Sequence, residues 1–99
     1  MRGIRLLASP WVMKILEACW DKPAGFNFIK AYCGRISGKT LAATLRDLEA
    51  AGLVERRPLA QPSNRVDYAI LDHGIIVAQQ ATILEMKLET AARSRKGKR

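Results

Sequence analysis

The chain has one histidine and two cysteines among its 99 residues, too few for a structural metal site, which normally takes four ligands of those types. Cys19 and Cys33 stand too far apart for a CxxC pair of the zinc or redox kind. No apolar run approaches the roughly 18 residues of a membrane span, and the N-terminus lacks the apolar core and small-residue cleavage site of a secretory signal. These absences lead to the expectation of a cytoplasmic protein with reduced thiols and no membrane partner. A phosphate-cradling glycine loop and clustered carboxylates are also missing, and His73 has no visible nucleophile to serve. No enzyme, cofactor or metal is therefore expected.

The chain does have positive charge. Its formal net charge is +8, and an excess of this kind most often serves a polyanion, because neutralised phosphates release their counterions. The distribution tempers this reading. Arg93, Arg95, Lys96, Lys98 and Arg99 carry five of the eight charges, which leaves +3 for everything before them. Residues 93–99 hold no apolar side chain to bury and read as a disordered basic tail, whose phosphate contacts would be sequence-blind. Residues 1–92 read as one domain, since a chain this short has room for a single core.

Ser9-Pro10 before Trp11-Val12-Met13-Lys14-Ile15-Leu16 reads as a capped helix start, with apolar Val12, Ile15, Leu16 and Cys19 on one face. The stretch from Asp21 to Gly25 breaks it. A short helix from Phe26 to Cys33 follows and stops at Gly34. Ser37 caps a third, in which Leu41, Leu45 and Leu48 recur before Gly52 closes the helix in a left-handed turn. Leu53 to Leu59 and Arg65 to Leu71 are strand-compatible runs around a polar tip, and so predict a hairpin. Asp72 is expected to cap a last helix. Along it Val77, Ala81, Leu84, Leu88 and Ala91 repeat at alternating spacings of four and three, the seam of a narrow coiled coil. The fold class is thus mainly α with a small β-hairpin (α+β), a winged helix-turn-helix with an additional C-terminal helix.

Several stretches carry a family resemblance. Trp11 to Leu16 looks like an opening tryptophan helix, and Phe26-Asn27-Phe28-Ile29-Lys30 with Ile36-Ser37 keeps the spacing of the second. More specific is the run Ile36-Ser37-Gly38-Lys39-Thr40-Leu41, then Leu45-Arg46-Asp47-Leu48-Glu49, Gly52-Leu53-Val54-Glu55-Arg56, Arg65-Val66-Asp67-Tyr68 and Gly74. In this order the residues resemble the HxlR-type transcriptional regulators of the MarR-like winged-helix group, over about two thirds of the chain. The resemblance implies a transcription regulator that binds double-stranded DNA as a homodimer in the cytoplasm, at the nucleoid. The pattern also departs from the family. Ser9-Pro10 stands where Gly-Lys is common, Leu71 where a threonine cap is common, and Ser63-Asn64 where the wing often has two prolines. Some members sense oxidants through a cysteine ahead of the tryptophan, and this chain has none there, so that activity does not carry over.

With the three leucines of the third helix turned inward, Lys39, Thr40, Ala43, Arg46 and Asp47 fall outward or to the flank. Lys39 suits guanine O6 and N7 or phosphate, Thr40 a base edge or thymine methyl, and Ala43 a close backbone approach. Ser37 and Gly38 supply a phosphate site at the helix N-terminus. Arg46 has an equal use in a local ion pair with Asp47 or Glu49. In the hairpin, Arg56, Arg57, Gln61, Ser63, Asn64 and Arg65 are placed for phosphates or the minor groove. Val77, Ala81, Leu84, Leu88 and Ala91 are the expected dimer interface, which would set two recognition helices about 34 Å apart on a palindromic operator. A last helix packed only on its own domain is the alternative. The cysteines and tryptophans read as packing residues, with an effector pocket the other use for Trp11 and Trp20. The rival function is a protein–protein adaptor or RNA-associated module on the same fold, which the modest charge outside the tail leaves open.

Overall fold

The computed structural model describes residues 9–59 and 65–97. Within them the chain runs α1 (Val12–Ala18), β1 (Ala24–Gly25), α2 (Phe26–Cys33), α3 (Gly38–Ala50), β2 (Val54–Pro58), β3 (Val66–Ile70) and α4 (Asp72–Gly97). The strands form one antiparallel sheet in the order β1-β3-β2. Helices α1, α2 and α3 close over one core, in which Val12, Ile15 and Leu16 meet Ile29 and Ile36 and the leucines of α3. Leu41, Leu45 and Leu48 are each at most 1% exposed, and burying a leucine fully is worth about 1.5–3 kcal/mol.

Both ends of α3 are held as the residue types dictate. Ser37 Oγ accepts from the Thr40 backbone N–H at 3.1 Å. At the other end Gly52 has φ +78°, which a residue with a Cβ enters only with strain. Its N–H donates to Glu49 O at 3.0 Å and the N–H of Leu53 donates to Leu48 O at 2.9 Å, the paired closure of a Schellman motif. The chain leaves this turn directly into β2, so one glycine couples the direction of α3 to that of the hairpin.

Four features differ from expectation. First, the helix break at Asp21–Gly25 ends in a strand: Ala24 pairs with Tyr68 and Gly25 with Asp67. Two residues are too few to show alternation, and the pairing serves the outer edge of β3. Second, α1 begins at Val12 with Trp11 at its N-cap, and Ser9 acts one step earlier, its Oγ accepting from the Trp11 N–H at 3.3 Å. Third, Leu71 holds the N-cap position of α4. Its carbonyl accepts from Ile75 N–H at 3.0 Å, which leaves Asp72 as the first helical residue, where its charge suits the helix dipole. Fourth, α4 does not end at 92: it continues through Arg93, Ser94 and Arg95 to Gly97. Alanine and the basic residues are good helix formers, and cations favour a helix C-terminus.

The N-terminal turn of α4 is pinned by Gly74. A Cβ there would run into the Leu53 carbonyl oxygen and lie 2.8 Å from Ile70 Cγ1, while the Leu71 N–H donates to that same Leu53 carbonyl at 2.9 Å. The helix stays on the domain for one more turn, with Ala78 buried in the core and Val77 packed against it, and then projects from it. At 26 residues it is about 39 Å long, and the chain's extents of 64 × 26 × 26 Å show it projecting from the globular part. The radius of gyration is 15.8 Å, against about 13 Å for a compact chain of this size.

Candidate nucleic-acid interface

Helix α3 turns Lys39, Thr40, Arg46 and Asp47 to solvent, with Gly38 and Ala43 half-buried on its flank. Ser37 is engaged in holding the helix: besides capping Thr40, its hydroxyl donates to Thr40 Oγ1 at 3.0 Å. Its contribution to an anion site is therefore to fix the first turn, where the N–H groups of Gly38 and Lys39 have no intrahelical acceptor. Thr44, which lies between the two faces, is buried and donates back to Thr40 O at 2.8 Å.

The arginines divide differently from the sequence reading. Arg46 is exposed and, among the described residues, has no carboxylate within ion-pair distance. The paired arginine is Arg57, whose Nε donates to Glu55 Oε1 at 2.7 Å. It also lies opposite Asp67 in the β2–β3 register, so two carboxylates share its face of the hairpin. Arg56 points to the other face, opposite Tyr68, and is exposed. Arg65 is exposed at the start of the returning strand, where its carbonyl accepts from Leu59 N–H at 2.9 Å and extends the ladder past β2. Gln61, Ser63 and Asn64 lie outside the described residues. Sequence reasoning passed over Arg35, which is exposed in the α2–α3 turn two residues before the Ser37 cap. Its position beside a capped helix start was the available signal.

On α4, Val77 is partly packed against the core and Ala81 is half-buried. Leu84 and Leu88 are 56% and 61% exposed, and Ala91 is exposed as well. The apolar row is thus covered by its own domain at one end only. The cysteines sit inside. Burial, with smaller additions from Cys33 and Asp67, pushes the Cys19 thiol up to about 11, and burial is also the main reason the Cys33 thiol is raised. Both are protonated near neutral pH, as packing residues should be, because the thiolate is the reactive form. Of the tryptophans, Trp11 packs on the core, whereas Trp20 is 43% exposed. Among the described residues no group of three or more His, Cys, Asp or Glu side chains is placed to hold a metal, and no helix is long and apolar enough to cross a membrane.

An uncharacterized HTH-type transcriptional regulator of Halalkalibacterium halodurans is 36% identical over 70 residues, which are 70% of this chain and 62% of the relative. This chain therefore spans about three fifths of that protein's length. The HTH-type transcriptional regulator YodB of Bacillus subtilis is 34% identical over 82 residues, 83% of this chain and 71% of YodB. The reduced form of YodB superposes with a TM-score of 0.70 over 87% of this chain and 82% of that one. A PadR family transcription regulator of Clostridium difficile reaches a TM-score of 0.79, over 87% of this chain and 97% of that one, at 12% identity, which is a likeness of fold alone. The model of the HxlR-like helix-turn-helix matches residues 6–93. With a capped third helix, the hairpin and the anchored start of the fourth helix inside that span, the chain belongs to the HxlR-like helix-turn-helix family.

Proposed function

We propose that this protein is a transcription regulator that binds double-stranded DNA as a homodimer, with α3 in the major groove and the β2–β3 hairpin on the backbone or in the minor groove. The observation that carries the reading is the outward face of α3, where Lys39 and Thr40 stand at a helix start held by Ser37 and Arg46 is exposed about two turns further along. Lys39 and Thr40 are the base-reading side chains, and Ala43 permits close approach. Arg35, Arg56 and Arg65, with Gln61, Ser63 and Asn64 at the tip, take phosphates or the minor groove. Arg57 contributes less, because Glu55 already holds its guanidinium. The α4 row from Val77 to Ala91 forms the twofold interface, and the operator is palindromic with half-sites about one DNA turn apart. The protein works in the cytoplasm at the nucleoid. Residues 1–92 are the DNA-binding and dimerising domain, and the basic end adds sequence-blind attraction.

The test is a salt titration of a genome-selected duplex against a random one. A steep fall of log affinity with log salt, together with preference for the selected duplex, is expected. Lys39→Ala and Arg65→Ala should each weaken specific binding, and Arg65→Ala should lower the slope by about 0.9 per lost phosphate contact. Binding unchanged in both variants, or weak sequence-blind binding, would favour the adaptor or RNA-associated reading.

A further inference from the structure

Between α1 and α4 lies an open, mainly apolar groove of about 570 Å³, within the roughly 300–1,000 Å³ usual for small-molecule sites. Met13, Glu17 and Trp20 line one wall, and Gln79, Thr82 and Ile83 the other. We propose that this groove binds an organic cation with apolar substituents, of the quaternary ammonium or phosphonium type. Glu17 is its charge partner, the exposed indole of Trp20 its π face, and Met13 and Ile83 its apolar walls.

The sign of the ligand follows from the lining. In a chain of net charge +8, Glu17 is, among the described residues, the one ionisable side chain lining this groove, with no lysine or arginine beside it. The carboxylate is also held in place, since Tyr32 Oη donates to Glu17 Oε1 at 3.2 Å. Trp20 lies just past the C-cap of α1, in a turn that its N–H closes by donating to Glu17 O at 3.1 Å, and both side chains line the groove. Its ring is 43% exposed, and a cation over an indole face gains more than over any other aromatic side chain.

The choice of a small ligand over a second copy of the chain rests on the dimer reading above. At 100° per residue, Gln79, Thr82 and Ile83 lie about 120–160° around α4 from the centre of the Val77–Ala91 row. Gln80, also on the lining, lies about 60° from that centre, so a partner helix seated on the row borders the groove at Gln80 and leaves its Thr82 and Ile83 side open.

The experiment is isothermal titration of the full chain with tetraphenylphosphonium and with its neutral analogue triphenylphosphine oxide, alongside sedimentation of the same samples. The cation should bind once per chain and more tightly than the neutral analogue. Glu17→Gln, which keeps the acceptor for Tyr32, and Trp20→Leu should each weaken it about threefold to fivefold without changing the oligomeric state. Equal binding of the two probes, or unchanged affinity in Glu17→Gln, overturns the proposal. So does dissociation of the assembly in either variant, because the groove would then be a subunit interface. A monomeric wild-type chain that still prefers the cation would sink the dimer reading alone and leave the site standing.

Discussion

Replacing Leu84 and Leu88 together by alanine tests the dimer interface where the structure leaves it most exposed. In the isolated chain these side chains are 56% and 61% exposed, so a partner has more than half of each leucine left to cover. Taking about 2 kcal/mol for burying a whole leucine side chain, covering six tenths of one is worth about 1.2 kcal/mol. Twofold symmetry turns the double substitution into four leucine truncations, which removes about 5 kcal/mol and raises the dimer Kd by about three to four orders of magnitude. Sedimentation equilibrium over a concentration series reads this shift directly. Circular dichroism should show the fold retained, because neither leucine contributes to the buried core. Met86→Ala is the matched control: Met86 is 59% exposed but lies on the far side of α4 from the row, so its loss should move the Kd little. An unchanged Kd in the double variant, or an equal loss in Met86→Ala, would refute the assignment of this row as the interface.

Gly74→Ala should destabilise the fold by several kcal/mol, on the order of an overpacked core site or more, because the new Cβ has the Leu53 backbone in its way; a Tm within a degree of wild type would contradict the anchoring role. Arg56→Ala should weaken DNA binding more than Arg57→Ala, since only the latter guanidinium is held by Glu55, and gel-shift titrations of the two variants compare them directly. The thiol of Cys19, with an ordinary value of 9.0 raised to about 11, makes stability full below pH 9 and falling as pH rises toward 11. Denaturant midpoints across that range should decline in the wild type and less in Cys19→Ala. An identical pH dependence in the two proteins would remove Cys19 as the cause.

The regular periodicities made most of the fold legible. The bounds of α2 and the caps of α3 follow from Gly34, Ser37 and Gly52, residues whose backbone or side-chain chemistry is local and therefore written in the sequence. Strand β1 was not legible, because two residues carry no pattern and their pairing partner, β3, lies more than 40 residues away. The end of α4 was not legible for a different reason: residues 93–97 are polar with nothing to bury, yet Arg and Lys are good helix formers and the helix runs on to Gly97. At the interface, the sequence identified the basic residues but not which of them are spent. Arg46 has acidic neighbours along the chain and yet stands unpaired among the described residues, while Arg57 finds Glu55 two positions away on the same strand face. Strand geometry, with its period of two, settles that pairing, whereas on α3 the adjacent Asp47 faces away from Arg46, and Glu49, three residues on, is within reach but not paired with it.

This uneven distribution of charge bears on why the proposed regulator needs two subunits. Asp47 and Glu49 share α3 with Lys39 and Arg46, and Glu55 occupies Arg57, so one domain offers a short set of free cations around a single helix start. Each phosphate contact contributes about 0.9 to the salt slope, and a monomer with so few would bind weakly at physiological salt. Doubling the contacts on one rigid frame raises affinity without new chemistry, because the second half-site is then met at high effective concentration. The frame is α4. It is anchored where Gly74 meets Leu53 and uncovered where Leu84 and Leu88 begin, so in the proposed dimer the same helix would supply the interface and set the spacing of the two α3 helices. On this reasoning a substitution on the α4 row weakens operator binding without touching DNA. The loss should disappear when the two chains are joined covalently at their α4 ends, whereas a loss that persists in the linked form would place the defect in the DNA-contacting surface itself.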